Sequence, residues 1–251
     1  MKISKQDFID MPRKAITLLG MSGSGKTHIS LMLAKQGWES YSCDYEIGTK
    51  YLKDALNGFG DVTGENISAL SVFLGKVGDA AKGGYSLDLF LERQQAYYDA
   101  EHKALSDMSD ALANSDSHFI HDSTGSLCEI MDDDLIGDLG EKTLFVYLKA
   151  DEDAEQTVLQ RAQDYPKPLF FPPSHFQGWL HEYIELYSID GVEAVDPNNF
   201  SRWVFPKLFE SRKPKYQALA DQYGVTIPSK EFYVMKNSDD FITIIAEYLE
   251  N

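Results

Sequence analysis

Five short apolar runs punctuate the chain, and longer amphipathic stretches separate most of them. Residues 15–19, Ala-Ile-Thr-Leu-Leu, have the length and continuity of a strand buried on both faces. The runs 37–42, 118–122, 143–150 and 225–227 are read as four further strands. Between them the apolar positions recur every three to four residues, as a helix with one buried face requires. The spacing predicts helices over 26–36, 44–56, 126–136, 151–163, 175–189, 201–222 and 238–249. A long amphipathic helix is expected over 86–114, with Ser86 at its N-cap. Residues 57–84 are rich in Gly and Ser and predict a poorly ordered connection. Residues 164–178 hold four prolines and three phenylalanines and predict irregular chain. Strand and helix alternate, so the expected fold class is α/β: one doubly wound parallel sheet of about five strands with helices on both faces.

Composition narrows the field. The chain has 251 residues, 43% of them hydrophobic and 25% charged, an ordinary globular balance. The formal net charge is −17, which disfavours generic binding to nucleic acid or anionic membranes. No run reaches the length of a membrane helix, and the first residues lack an apolar signal core, so the cytoplasm is the expected compartment. Cys43 and Cys128 form no zinc-type spacing and are read as small buried side chains. His118 and His121 lie three apart on an expected strand, on opposite faces, which argues against a shared metal.

The chemistry concentrates in Gly20-Met21-Ser22-Gly23-Ser24-Gly25-Lys26-Thr27. This is G-x-x-x-x-G-K-[ST], directly after an expected strand and opening an expected helix, the context the motif requires. Glycines let backbone amides converge on a phosphate, and the following helix N-terminus adds unpaired N–H groups and partial positive charge. Met21 to Thr27 are thus expected to hold ATP, with Lys26 on the β- and γ-phosphates and the Thr27 hydroxyl as a ligand of Mg²⁺. The guanine-reading N-K-x-D is absent, which favours ATP over GTP. Asp122, ending "HFIHD", is either a second Mg²⁺-side carboxylate or a cap of the next helix or turn.

In this setting the chain resembles the shikimate kinase family of small P-loop kinases. The resemblance rests on four segments in order: "GMSGSGKT", "CDYEI" (43–47), "YPKPLF" (165–170) and "ESRKPKYQALAD" (210–221). It implies that Asp44 contacts the acceptor hydroxyl and takes its proton, that Lys167 is the lid cation with Arg161 as its helper, and that Arg212 and Gly125 face the acceptor. Arg212 is alternatively a solvated surface cation. Ser42 stands where the family has its first aspartate, and "DSTGS" (122–126) replaces its triple-glycine loop with only Thr124 and Gly125 retained. Shikimate itself is therefore not the expected acceptor. The expected function is Mg²⁺-assisted transfer of the γ-phosphoryl group of ATP to a hydroxyl of a small molecule. The alternatives are a nucleotide-binding ATPase or switch without such an acceptor, and a nucleoside or nucleotide kinase. One domain is expected over 1–251, with a helical insertion at 57–117 and a lid with an aromatic segment at 164–200. The aromatic residues 170–187 are read as a lid wall or acceptor pocket, as core, or as a dimer contact.

Overall fold

The computed structural model describes residues 3–63 and 66–250. In chain order the elements are α1 (Lys5–Asp10), β1 (Ala15–Leu19), α2 (Lys26–Ala34), β2 (Glu39–Ser42), α3 (Cys43–Glu46), α4 (Ser68–Leu74), α5 (Leu87–Ala113), β3 (Phe119–Asp122), α6 (Asp133–Lys142), β4 (Leu144–Lys149), α7 (Glu152–Asp164), α8 (Pro173–Leu186), α9 (Pro197–Tyr223), β5 (Gly224–Pro228) and α10 (Ser238–Tyr248). A π-helical turn, Ile47–Tyr51, continues α3. Among the described residues no helix is long and apolar enough to cross a membrane.

The five strands form one parallel sheet in the order β2-β3-β1-β4-β5, the doubly wound α/β fold expected from the apolar runs. Residues of β1 alternate between its two faces, as strand geometry demands. Ile16 and Leu18 enter a core with Ile29 and Leu33 of α2, Phe8 of α1, and Phe241 and Ile245 of α10. Thr17 faces the other way, where its hydroxyl lies 3.2 Å from His121 Nδ1 and 2.8 Å from Thr143 Oγ1. On that side Tyr147 stacks on Tyr216 of α9, and Tyr41 donates to the Ala104 carbonyl of α5. Burying one such side chain stabilises the fold by about 1.5–3 kcal/mol. Register decides what happens at the sheet's end: Leu18 lies abreast of Asp122, and Asp122 abreast of Ser42. The segments leaving β1, β2 and β3 therefore emerge side by side, on the edge where parallel α/β sheets place their ligands.

The chain divides into two compact units. The first comprises Met1–Asp44, Glu101–Glu155 and Arg212–Asn251 and contains the sheet. The second comprises Tyr45–Ala100 and Gln156–Ser211 and is helical. Its core gathers Phe90, Phe171, Phe176, Phe200, Val204 and Leu208, so Phe171 and Phe176 of the aromatic segment serve as core. Gln94 pins this segment by donating to the Leu169 carbonyl and accepting from the Phe171 amide.

Several elements differ from the sequence reading. The stretch 126–136 is no continuous helix: a 3₁₀ turn, Leu127–Glu129, is followed by extended chain, and α6 starts at Asp133. Asp132 caps α6 by accepting from the Leu135 amide, and Asp133 and Asp134 sit in its first turn. Asp133 and Asp134 are exposed, so the acidic run both opens α6 and lies on its solvated face. Within 57–84, where Gly64 and Glu65 lie outside the described residues, α4 forms because Ala69, Leu70, Phe73 and Leu74 share a buried face. Helix α9 runs through Pro206, whose missing N–H leaves the Arg202 carbonyl four residues earlier without its helical donor. The Gln163 side chain donates to that carbonyl instead, at 2.9 Å.

Gly224 opens β5 opposite Phe145, where a Cβ would come to 1.7 Å from the Phe145 carbonyl oxygen. A backbone oxygen cannot rotate away. Gly224→Ala is expected to lower stability by about 2–3 kcal/mol in urea denaturation, whereas an unchanged midpoint would show that β5 tolerates the displacement.

Candidate functional site

The turn between β1 and α2 is built on glycine at the points that need it. Gly23 and Gly25 have φ of +90° and +97°, in the left-handed region where other residues are strained. Gly25 is the N-cap of α2 and offers no side chain to the first-turn amides. Those amides are left for a ligand, with the positive end of the helix dipole behind them. Neither glycine has an atom within 4 Å of where a Cβ would stand. Ser24 Oγ, buried inside the turn, has no hydrogen-bond partner among the described residues. Met21 and Ser22 complete the loop, and Ser24 N donates to the Met21 carbonyl.

Lys26 folds back over this turn. Its Nζ donates to the carbonyls of Gly20 at 2.7 Å and Met21 at 3.2 Å, and the residue is only 6% exposed. Burial lowers its pKa, and the carboxylates of Asp122 and Asp44 oppose that shift. Asp122 is itself buried, which raises its pKa against the influence of Lys26 and a hydrogen bond from Thr27. Thr27 and Asp122 thus present two oxygen atoms side by side at the start of α2. Among the described residues no group of three or more His, Cys, Asp and Glu side chains is placed to hold a metal alone. A Mg²⁺ ion that takes its remaining ligands from phosphate and water needs no such group, and Thr27 with Asp122 fits that donor set.

The loop leaving β3 is braced from two directions. Glu101 of α5 is fully buried and accepts from the hydroxyls of Thr124 and Ser126, the latter at 2.8 Å. Burial pushes its carboxyl up to about 7, the two hydroxyls working against the shift and the charge of Asp44 adding to it. From the other side Arg212 of α9 donates through Nη1 to the Gly125 carbonyl at 2.8 Å, and the Tyr216 hydroxyl reaches the same oxygen at 2.7 Å. Arg212 Nε meets Glu129 Oε1 at 3.0 Å, while Lys215 bonds the other Glu129 oxygen. Gly125 has a spatial reason as well: a Cβ there would stand 3.1 Å from the Ser22 amide nitrogen. The two loops are fitted to each other.

Of the residues expected from the sequence, Lys26, Thr27, Asp44, Asp122, Gly125 and Arg212 all lie in the first unit. Lys26 feels the charges of Asp122, Asp44 and Arg212. Asp44 is half-buried in α3, directly after β2. Arg212 is not a solvated surface cation, being 6% exposed. Lys167 and Arg161 lie in the second unit, and both are exposed. His118 precedes β3, and its Nδ1 accepts from the Lys14 amide; His121 is buried in the sheet, and burial lowers its pKa to about 3. Cys43 is fully buried, and burial pushes the Cys128 thiol up to about 12, so neither thiol is an activated nucleophile. Glu101, Glu129 and Tyr216 escaped the sequence reading. Glu101 had left a signal: it occupies the α5 stripe that also carries Tyr97, Ala104 and Met108, all buried.

No protein-family model matches the chain, and no curated protein matches it. Solved structures do. The chain is similar in fold to shikimate kinase from Bacteroides thetaiotaomicron, with a TM-score of 0.45 and 13% identity over 93% of this chain and 94% of that one. Shikimate kinase from Acinetobacter baumannii in complex with shikimate gives 0.43 and 17%, over 89% and 86% of the two chains. An unliganded sugar kinase from Janibacter sp. HTCC2649 gives 0.32 and 18%, over 87% of each. These are likenesses of chain course; the fold assignment rests on the strand order and register.

Glu101 makes the first unit sensitive to pH. Its carboxyl titrates near 7 in the folded chain against 4.5 for an ordinary glutamate. The protonated acid is thus the form the fold prefers, and its contribution is complete below 4.5 and lost as the pH rises through about 7. Between pH 4.5 and 8 the wild type should lose up to about 3 kcal/mol relative to Glu101→Gln, read from urea unfolding of both proteins. Parallel stability curves would contradict the assignment.

Proposed function

We propose that this protein transfers the γ-phosphoryl group of ATP to a hydroxyl group of a small molecule. The observation that carries the proposal is the β1–α2 turn, where a buried ammonium, the open amides of a helix start and an unpartnered serine hydroxyl share one loop. This combination answers to a polyphosphate, which needs many donors and a cation in a site sheltered from water.

Each residue then has a part. The amides of Met21, Ser22, Gly23, Ser24 and Gly25, with Lys26, hold the phosphates and stabilise the charge that develops as the phosphoryl group leaves. Thr27 and Asp122 hold Mg²⁺, which supplies neutralisation of phosphate charge when bound. Asp44 orients the acceptor hydroxyl and takes its proton, and Gly125 with Arg212 shapes the acceptor side. Lys167 and Arg161 are assigned to the phosphates on their sequence motif alone. Phosphoryl transfer asks the protein mainly for positioning and electrostatic stabilisation, so a half-buried aspartate near the buried cation suits the task.

Lys26→Ala tests the reading. The variant should keep the wild-type circular dichroism while ATP turnover falls by about 10²–10³-fold or more, the scale for removing one preorganised charge stabiliser. Near-normal turnover in a folded Lys26→Ala protein would refute the role.

A further inference from the structure

The acceptor side of the first unit carries a charge arrangement that constrains what it takes. A hydroxy acid is held by a guanidinium whose N–H edge is open to its carboxylate. Arg212 is the cation that the resemblance to shikimate kinases places facing the acceptor, and its edge is engaged. Nε lies 3.0 Å from Glu129 Oε1, and Nη1 lies 2.8 Å from the Gly125 carbonyl. The pair is sealed from water, with side-chain exposures of 7% for Arg212 and 1% for Glu129. An incoming carboxylate would have to approach Arg212 against the charge of Glu129 or displace it. Displacement leaves a buried carboxylate without its best partner, which is costly in a dry interior. Lys215 stays on the other oxygen of the same carboxylate, so it softens that cost but is itself engaged and offers no open cation to the acid.

The remaining charges point the same way. Asp44 and Glu101 influence one another, and Glu101 grips the hydroxyls of the loop that carries Gly125. Around that loop two carboxylates, Asp44 and Glu129, already match two cations, Arg212 and Lys215, and Glu101 adds a buried acid. Lys26 is drawn to its own loop carbonyls and reserved for phosphate. Among the described residues of this set no third cation stands open to an anionic acceptor.

We propose that Glu129 is a specificity-determining residue: by occupying Arg212 it excludes hydroxy acids and restricts the acceptor to hydroxyl compounds that are neutral or cationic, such as sugars, polyols and amino alcohols. This rests on the phosphotransferase reading above and goes beyond it by naming the acceptor's charge class.

The test uses calorimetry on the full chain, loaded first with Mg²⁺ and a non-hydrolysable ATP analogue. Absence of heat at that loading step would sink the phosphotransferase reading itself, before any acceptor is added. Gluconate and shikimate are then titrated into the wild type, into Glu129→Gln, and into Glu129→Asp, which keeps the charge. The expected result is binding of these acids to Glu129→Gln at least about tenfold tighter than to the other two proteins. Equal affinity in wild type and Glu129→Gln, with no binding to either counted as equal, overturns the proposal. If Glu129→Gln does not fold, wild type is titrated with glucose against gluconate and with ethanolamine against glycolate. Tighter binding of the uncharged or cationic member in either pair sustains the proposal; acids bound as well or better, or silence throughout, overturn it.

Discussion

An ammonium ion removed from water needs partners at once, and the structure meets that need for Lys26 with atoms that are themselves part of a ligand cradle. The carbonyls of Gly20 and Met21 accept its hydrogen bonds, and the charges of Asp122 and Asp44 work against the lowering of its pKa by burial. This arrangement exists only because the sheet is parallel and in register. Leu18, Asp122 and Ser42 lie in one row, so the segments leaving their strands converge on the same few ångströms of space. A slip of one residue would turn every side chain of a strand to the opposite face and dissolve the cluster.

The second layer of the site works by holding backbone rather than by presenting side chains. Glu101 spends both carboxylate oxygens on the hydroxyls of Thr124 and Ser126, and Arg212 with Tyr216 fixes the carbonyl between them. The outcome is a loop pressed against the Ser22 amide so closely that a Cβ at 125 would be crowded. A preorganised site of this kind reorganises little when charge moves. The buried acids and bases around it are accounted for as structural braces whose ionisation is tuned by burial first and by neighbours second.

Much of this was legible in the residues. The apolar run 15–19 and the glycine-lysine-threonine pattern after it specify strand, turn and helix by short-range chemistry, and β1 and α2 form there. The strands β3, β4 and β5 also follow from their apolar runs, and the helices α5 and α10 from apolar positions that recur at helical spacing. What escaped depends on partners distant in sequence. A carboxylate in the buried stripe of α5 signals a polar brace, but nothing near Glu101 names Thr124 or Ser126 as its partners. The helix through Pro206 is expected, but nothing near that proline names Gln163, far back along the chain, as the donor to the carbonyl it frees. Lys167 and Arg161 rest on a short motif, and the sequence offers no geometry for them.

The central claim is that the β1–α2 turn grasps the phosphate tail of a nucleoside triphosphate. Its most direct measurement is a calorimetric titration of the full chain with ATP in the presence of Mg²⁺. The account predicts saturable uptake of one nucleotide per chain that persists with the non-hydrolysable analogue and weakens sharply with adenosine, which lacks the phosphates. Absence of heat up to millimolar ATP, or equal binding of ATP and adenosine, would contradict it.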